Sequence, residues 1–281
     1  MNYLEKHYNE IFKKYKTEEL IKDIENYRSG SGCLYKTLSN FFEEEMWKCC
    51  GRKTKISPIE ALENDKYTNI ILEYIKNKPN FFTSDNEVVN VKSAIRNSFS
   101  WVRKVANFPC REAREIYFRY TNDKEKIKIN CLDTSSGFGS RMSAVLLSGS
   151  NYFGIDPNKT LYKKLVEYKN FLYDNNIINQ NQKCKLYCAG SEVFIPELCD
   201  TIDVAFTSPP YFNLERYSDD NNSSTKNYQN YGLWIEEFVK PTLFNTYEYL
   251  KVGGYIIINI KNLNKKERCF DDFFNILNSI D

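Results

Sequence analysis

The sequence predicts an α/β protein, with a doubly wound, mainly parallel sheet over residues 106–281 and a helical region over residues 1–105 before it. Three observations predict this. From about Phe108 short apolar runs alternate with stretches long enough for crossover helices. The run Ile202–Phe206 ends at the consecutive prolines Pro209 and Pro210, which cannot extend a strand ladder. A glycine-containing turn, Asp133 to Gly139, joins the first apolar run to a helix beginning at Arg141. Right-handed crossovers and strands buried on both faces are expected.

The elements follow in order. Ser57-Pro58-Ile59-Glu60 has a capping serine, proline at the first helical position and glutamate where a capping box needs it. Ile59, Leu62, Ile70, Ile71 and Ile75 then supply helical apolar positions. Ser84-Asp85-Asn86-Glu87 repeats the cap before Val88, Val91, Ile95 and Phe99. The segment Cys49 to Lys55, just before the first of these caps, is basic and contains Gly51, which suits either a contact with a nucleic-acid backbone or a solvated loop. Strands are predicted at Ile127–Leu132, Tyr152–Ile155, Lys185–Cys188, Ile202–Phe206 and Tyr255–Ile260. Ser218 to Tyr231 reads as a long polar loop, of the kind that covers a site or binds substrate. Leu233 to Leu250 is helical in pattern, with Pro241 expected to kink or divide it, and Asp271–Leu277 reads as a last helix.

Composition narrows the function. No apolar run approaches the ~20 residues needed to span a bilayer, and Met1 to Glu10 is polar, so neither a membrane segment nor a secretion signal is expected and the location expected is cytoplasmic. Nine cysteines contain no CxxC pair and there is one histidine, His7, in an amino-terminal segment expected to fray. Reduced thiols, no metal site and no histidine base are expected. A net charge of +2 announces no polyanion by itself. Between Lys92 and Lys126, nine basic residues stand against four acidic ones, an excess suited to phosphate contacts or to a solvated helix face.

The chemistry gathers where predicted strands end. Thr207-Ser208-Pro209-Pro210-Tyr211-Phe212 offers a hydroxyl, a carbonyl and aromatic faces in a small space, the groups that hold a planar, amine-bearing ring. Gly137 and Gly139 let backbone approach a ligand closely, beside the free amides of a helix start. Asp156, in Gly154-Ile155-Asp156-Pro157, stands where an acid can accept hydrogen bonds from both hydroxyls of a ribose; capping the following helix is its other reading. Gly190-Ser191-Glu192, after the third strand, adds polar groups where an adenine ring would lie.

Together these motifs resemble the S-adenosylmethionine-dependent amino-methyltransferases of DNA, which modify N6 of adenine or N4 of cytosine on a Rossmann-like sheet. The resemblance covers about Phe108 to Leu263. It rests on Asp133 to Gly139, including Ser135, as the methionine-binding loop, on Asp156 and Pro157 at the ribose, on Ser191 and Glu192 near the adenine, and on Ser208-Pro209-Pro210-Tyr211 as the catalytic turn. Asn107-Phe108-Pro109 is similar to the family's segment beside the cofactor, and Leu250 to Tyr255 to its turn into the fifth strand. Thr134 and Ser135 stand where many relatives carry proline and an aromatic or cysteine.

The resemblance implies S-adenosyl-L-methionine as cofactor, double-stranded DNA as partner and an extruded base stacked on Tyr211, with Phe212 as a further contact. A companion restriction nuclease would fit such a protein. The serine in the turn hints at cytosine N4, and adenine N6 stays open beside it. RNA, a protein glutamine amide and a catalytically inactive nucleic-acid-binding module are the alternatives. The family's sheet closes with an antiparallel hairpin after the fifth strand, whereas only Asn262 to Asp281 follow here, so a sheet lacking its last strands, or a truncated chain, is expected. Target recognition would then fall to residues 1–105 and the Ser218 to Tyr231 loop.

Overall fold

A computed structural model describes residues 3–50, 56–77, 95, 105–119, 128–212, 228, 230–262, 264 and 267–280. The basic segment at 51–55, the helix expected after Ser84 and most of the 218–231 loop lie outside them. Five strands, β1 (Asn130–Asp133), β2 (Asn151–Ile155), β3 (Cys184–Tyr187), β4 (Ile202–Thr207) and β5 (Leu250–Ile258), form one sheet in the order β3-β2-β1-β4-β5. Every pairing is parallel. The chain winds outward from β1 in one direction through β2 and β3, and in the other through β4 and β5. That reversal leaves a crevice outside the carboxyl ends of β1 and β4, where ligands sit in open α/β sheets. This is the doubly wound, Rossmann-like sheet that the sequence predicts.

Alternation along the strands divides the core. Cys131, Tyr152, Val204 and Phe206 belong to one cluster, while Leu132, Phe153 and Ala205 belong to another on the opposite face. The three central strands are buried almost throughout. The expectation of full burial fails at the edges, where β3 and β5 are partly exposed because each has a neighbour on one side among the described residues.

The first face is covered by α1 (Tyr3–Ile11), α2 (Thr17–Arg28), α3 (Tyr35–Lys48), α4 (Pro58–Glu63), α5 (Asp65–Lys76), α6 (Cys110–Arg119), α7 (Ser140–Leu146) and α8 (Lys159–Asp174). His7 thus lies within a helix, its Nδ1 3.2 Å from Glu10 Oε1, rather than in a frayed end. In α4 the expected capping box forms, with Glu60 N donating to Ser57 Oγ at 3.2 Å and Ser57 N to Glu60 Oε2 at 2.5 Å. Phe42 meets Tyr168 edge-on at 5.7 Å, and Tyr27 Oη donates to Cys110 O at 3.2 Å. Buried residues of α2 and α3 share one cluster with those of α7 and α8, so the change of pattern near residue 105 marks no break in the core. On α6, Arg111 spends its guanidinium on the Gly30 and Gly32 carbonyls, a tie within the fold for one of the basic residues counted above.

After Tyr228 come α9 (Tyr231–Trp234), one π turn (Ile235–Val239), α10 (Lys240–Tyr249) and, beyond β5, α11 (Cys269–Leu277). The helix predicted over 233–250 is divided, as expected, at Pro241. Proline lacks an amide and clashes with the preceding turn, and the widened π turn takes up the mismatch. β5 starts five residues before its predicted start. Ile202 pairs with Leu250 but Val204 pairs with Tyr255, so Lys251 to Gly254 form a bulge inside the strand, and Gly253 adopts φ +81° there. Among the described residues no helix is long and apolar enough to cross a membrane.

Candidate active site

At the carboxyl ends of the strands the structure opens into a cavity of about 600 Å³, within the range of small-molecule sites. Its walls come from the turn after β1, the ends of β2 and β4, the loop after β3, the end of β5 and the segment 106–109.

The turn after β1 is held by a buried ion pair. Arg141 Nε donates to Asp133 Oδ2 at 2.7 Å and its Nη2 to Asp133 Oδ1 at 3.2 Å, and the same guanidinium reaches the Ser135 carbonyl. Ser135 N donates to Asp133 Oδ1 at 3.1 Å and Tyr152 Oη to Asp133 Oδ2 at 3.1 Å. Burial opposes the charge on Arg141, but the Asp133 carboxylate outweighs it and holds the guanidinium pKa above its ordinary value. Asp133 is fully buried and does not line the cavity. The residue expected to touch the cofactor instead fixes the turn that Ser135 and Gly137 present.

Gly137 and Gly139 both adopt positive φ, +57° and +72°. Gly137 lines the cavity; Gly139 does not, because it faces Phe42, whose ring would lie 2.4 Å from an added Cβ. The second glycine therefore serves helix packing. Ser136 N and Oγ both donate to Ile155 O, at 3.0 and 3.2 Å, and dock the turn on the end of β2.

Asp156 follows directly. Its Oδ2 accepts from Gly137 N and its Oδ1 from Asn158 N, each at 3.0 Å. Burial raises its carboxyl pKa to about 6 despite those two amides. The cap of α8 is Asn158, whose Oδ1 accepts from Thr160 N and Leu161 N at 3.0 Å. Asp156 is thereby spared as the principal cap, and with Pro157 it lines the cavity.

In the loop after β3, Ser191 and Glu192 both line the cavity. Ser191 Oγ is spent on Thr242 Oγ1 at 3.0 Å. Asn245 of α10 donates to the Ser191 and Glu192 carbonyls at 3.1 and 3.0 Å, fixing the loop from behind. The Glu192 carboxylate folds over Gly190, where an added Cβ would come within 2.3 Å, and its buried Oε2 has no hydrogen-bond partner.

From the other side, Asn107 Nδ2 donates to Phe138 O at 3.0 Å and Ser140 Oγ to Phe108 O, which secures the segment carrying Phe108 against the glycine turn. Phe108 lines the cavity and meets Phe206 edge-on at 5.3 Å.

β4 ends by delivering Ser208, Pro210 and Tyr211 to the same cavity. Pro209 is buried on the opposite side, lining a small void with Phe238 and Phe273. Phe212, expected as a further contact to a base, is buried against Trp234 and Tyr231 at ring distances of 6.1 and 6.0 Å and does not line the cavity. It is a core residue, because Trp234 and Tyr231 cover its ring.

Three contributors escape the sequence reading. Arg141 carries a signal, a charge in the first turn of a helix eight residues after an acid. Asn245 and Asn259 carry none, since each gains its place only when α10 or β5 packs beside another strand's end.

No family model matches this chain, and no curated protein matches it. Solved structures of similar fold include a tRNA methyltransferase from Aquifex aeolicus, 11% identical over 62% of this chain and 55% of that one with a TM-score of 0.40. A SAM-dependent methyltransferase from Agrobacterium tumefaciens is 14% identical over 64% of this chain and 52% of that one, with a TM-score of 0.42. A TehB-like SAM-dependent methyltransferase from Corynebacterium glutamicum is 15% identical over 59% of this chain and 70% of that one, with a TM-score of 0.40. The chain spans about half the length of the first two. Identities this low leave the chemistry of the site to its own residues.

Proposed function

We propose that this protein transfers a methyl group from S-adenosyl-L-methionine to an exocyclic amine of a base in DNA, N6 of adenine or N4 of cytosine. The observation that carries this reading is that one cavity is lined both by Gly137, Asp156 and Glu192 and by Ser208, Pro210 and Tyr211. A polar, acid-bearing pocket and an aromatic, hydroxyl-bearing turn share one space.

The residues fit the cofactor. Asp156 uses one backbone amide on each carboxylate oxygen, leaving lone pairs for two ribose hydroxyls. Glu192, which lines the cavity beyond β3, would lie beside the adenine. The glycine turn and Phe108 would enclose the methionine portion. When bound, this cofactor supplies a methyl group already activated by a positive sulfonium.

The remaining task falls to the turn after β4. An exocyclic amine is a poor nucleophile because its lone pair is delocalised into the ring. Ser208 Oγ, which lines the cavity, would accept a hydrogen bond from the amine and favour a pyramidal nitrogen with its lone pair free; Pro209, expected to share that role, is turned away from the cavity. Tyr211 would stack on the ring of a base extruded from the helix. Catalysis is then chiefly orientation.

The test is transfer of a labelled methyl group from the cofactor onto duplex DNA, RNA and protein in parallel, followed by mass spectrometry of the nucleosides. N6-methyladenine or N4-methylcytosine in the DNA is the expected product. Label in RNA or in a glutamine amide alone would overturn the DNA substrate, and cofactor binding without any labelled polymer would overturn the enzyme reading in favour of a binding module.

A further inference from the structure

Ser208 can hold an amine only if its hydroxyl presents a lone pair to the cavity rather than its proton. A serine hydroxyl has one proton and two lone pairs, and its rotor turns to suit its neighbours. Among the described residues those neighbours belong to one residue. Asn259, immediately after β5, donates from Nδ2 to Ser208 Oγ at 3.2 Å, and its backbone carbonyl lies 3.5 Å from the same Oγ. Asn259 N donates to Thr207 O at 2.9 Å, which locks the ends of β4 and β5 in register. Asn259 and Ser208 both line the cavity.

We propose that Asn259 is a positioning residue that fixes the polarity of the Ser208 hydroxyl, so that Ser208 meets the substrate as a hydrogen-bond acceptor. This rests on the amine-methylation reading above. The side-chain amide occupies one lone pair of Oγ. The carbonyl, although distant, is the acceptor on the side to which the proton can turn. One lone pair remains for the cavity. Were the amide turned over, Oδ1 would take the hydroxyl proton and leave both lone pairs, with the same polarity toward substrate. Either way a donor-poor hydroxyl faces the amine. An apolar residue at 259 removes the side-chain partner and leaves only the distant backbone carbonyl to hold the rotor, which lets the hydroxyl point its proton at the nitrogen that must stay nucleophilic.

The test has two arms. In the first, Asn259→Leu, Ser208→Ala and the double variant are assayed for kcat of amine methylation and for cofactor Kd by calorimetry, with thermal melts to confirm folding. Asn259→Leu is expected to lower kcat ten- to a hundredfold with cofactor Kd within twofold of the parent. The double variant is expected to match Ser208→Ala within twofold, because Asn259 acts through Ser208. Asn259→Asp, which keeps an acceptor for the hydroxyl proton, is expected to retain at least a fifth of the parental kcat. Multiplying losses in the double variant, or an unchanged kcat in Asn259→Leu, would overturn the proposal. The second arm needs no turnover: the Asn259 side-chain amide protons are followed by NMR, and Ser208→Ala is expected to shift them and speed their exchange with water. No change would overturn the pairing itself. A parental protein that labels no amine would instead overturn the amine-methylation reading, a result distinct from either of these.

Discussion

Arg141 Nε lies 2.7 Å from Asp133 Oδ2, with the two side chains 8% and 0% exposed, so the glycine turn of the cavity is anchored by an ion pair withdrawn from water. Removing one partner leaves the other as a buried, uncompensated charge, at a cost of about 3–5 kcal/mol. Asp133→Asn and Arg141→Met are each expected to lower stability by roughly that amount in urea denaturation. The double variant is expected to lose less than the sum, because the pair is removed as a unit.

Asp156 makes cofactor binding pH-dependent. Burial holds its carboxyl pKa at about 6, above the ~3.9 of an unfolded chain. The folded, unliganded protein therefore binds the proton more tightly, and this group favours folding most below pH ~4, with that contribution lost as pH rises toward 6. Asp133, Arg141 and the Cys188 thiol are among the charged or titratable groups that interact with it. A ribose donating to the carboxylate favours the ionised form, so affinity for S-adenosylmethionine is expected to fall about tenfold for each pH unit below 6. Calorimetry across pH 5–8 would show this, and Asp156→Asn is expected to bind more weakly and without that slope.

Gly139 is held at φ +72° with its α-hydrogen side against Phe42, so alanine there meets both a left-handed backbone and the ring 2.4 Å away. A left-handed residue costs about 1–2 kcal/mol and an overpacked site about 1–3. Gly139→Ala is expected to destabilise the protein by about 2–4 kcal/mol in denaturant unfolding. At Gly137 an added Cβ would have no neighbour closer than 3.7 Å, so Gly137→Ala is expected to lose only the backbone term.

Ser208→Ala and Tyr211→Ala are expected to lower methyl transfer at least tenfold while cofactor affinity stays within about twofold. The two residues lie at the β4 end of the cavity, away from Asp156 at the end of β2. Filter binding of labelled cofactor alongside the transfer assay checks both halves. Full activity in both variants would remove the proline turn from the mechanism.

Much of this architecture was legible in one dimension. Apolar runs with turns between them identify β1, β2 and β4, because a strand buried on both faces must be apolar whatever it packs against. Pro209 and Pro210 end β4 for a covalent reason, and Pro241 divides its helix for the same reason. Asp156 and Ser208 were found because loops at strand ends owe their position to the strands.

What the sequence by itself could not determine was the direction in which a side chain would spend its polar atoms. Asp133 reads as a ligand-binding acid until Arg141 and Tyr152 close on it, and Gly139 as a ligand-facing glycine until Phe42, nearly a hundred residues earlier, fills the space beside it. Phe212 reads as an aromatic contact until Trp234 covers it. Asn259 has no local signature, since its meaning comes from β5 pairing beside β4 and bringing its amide to Ser208. Local chemistry determined which residues lie at the ends of the strands. Long-range packing decided which of them face the cavity, because burial and hydrogen-bond satisfaction depend on neighbours distant in the chain.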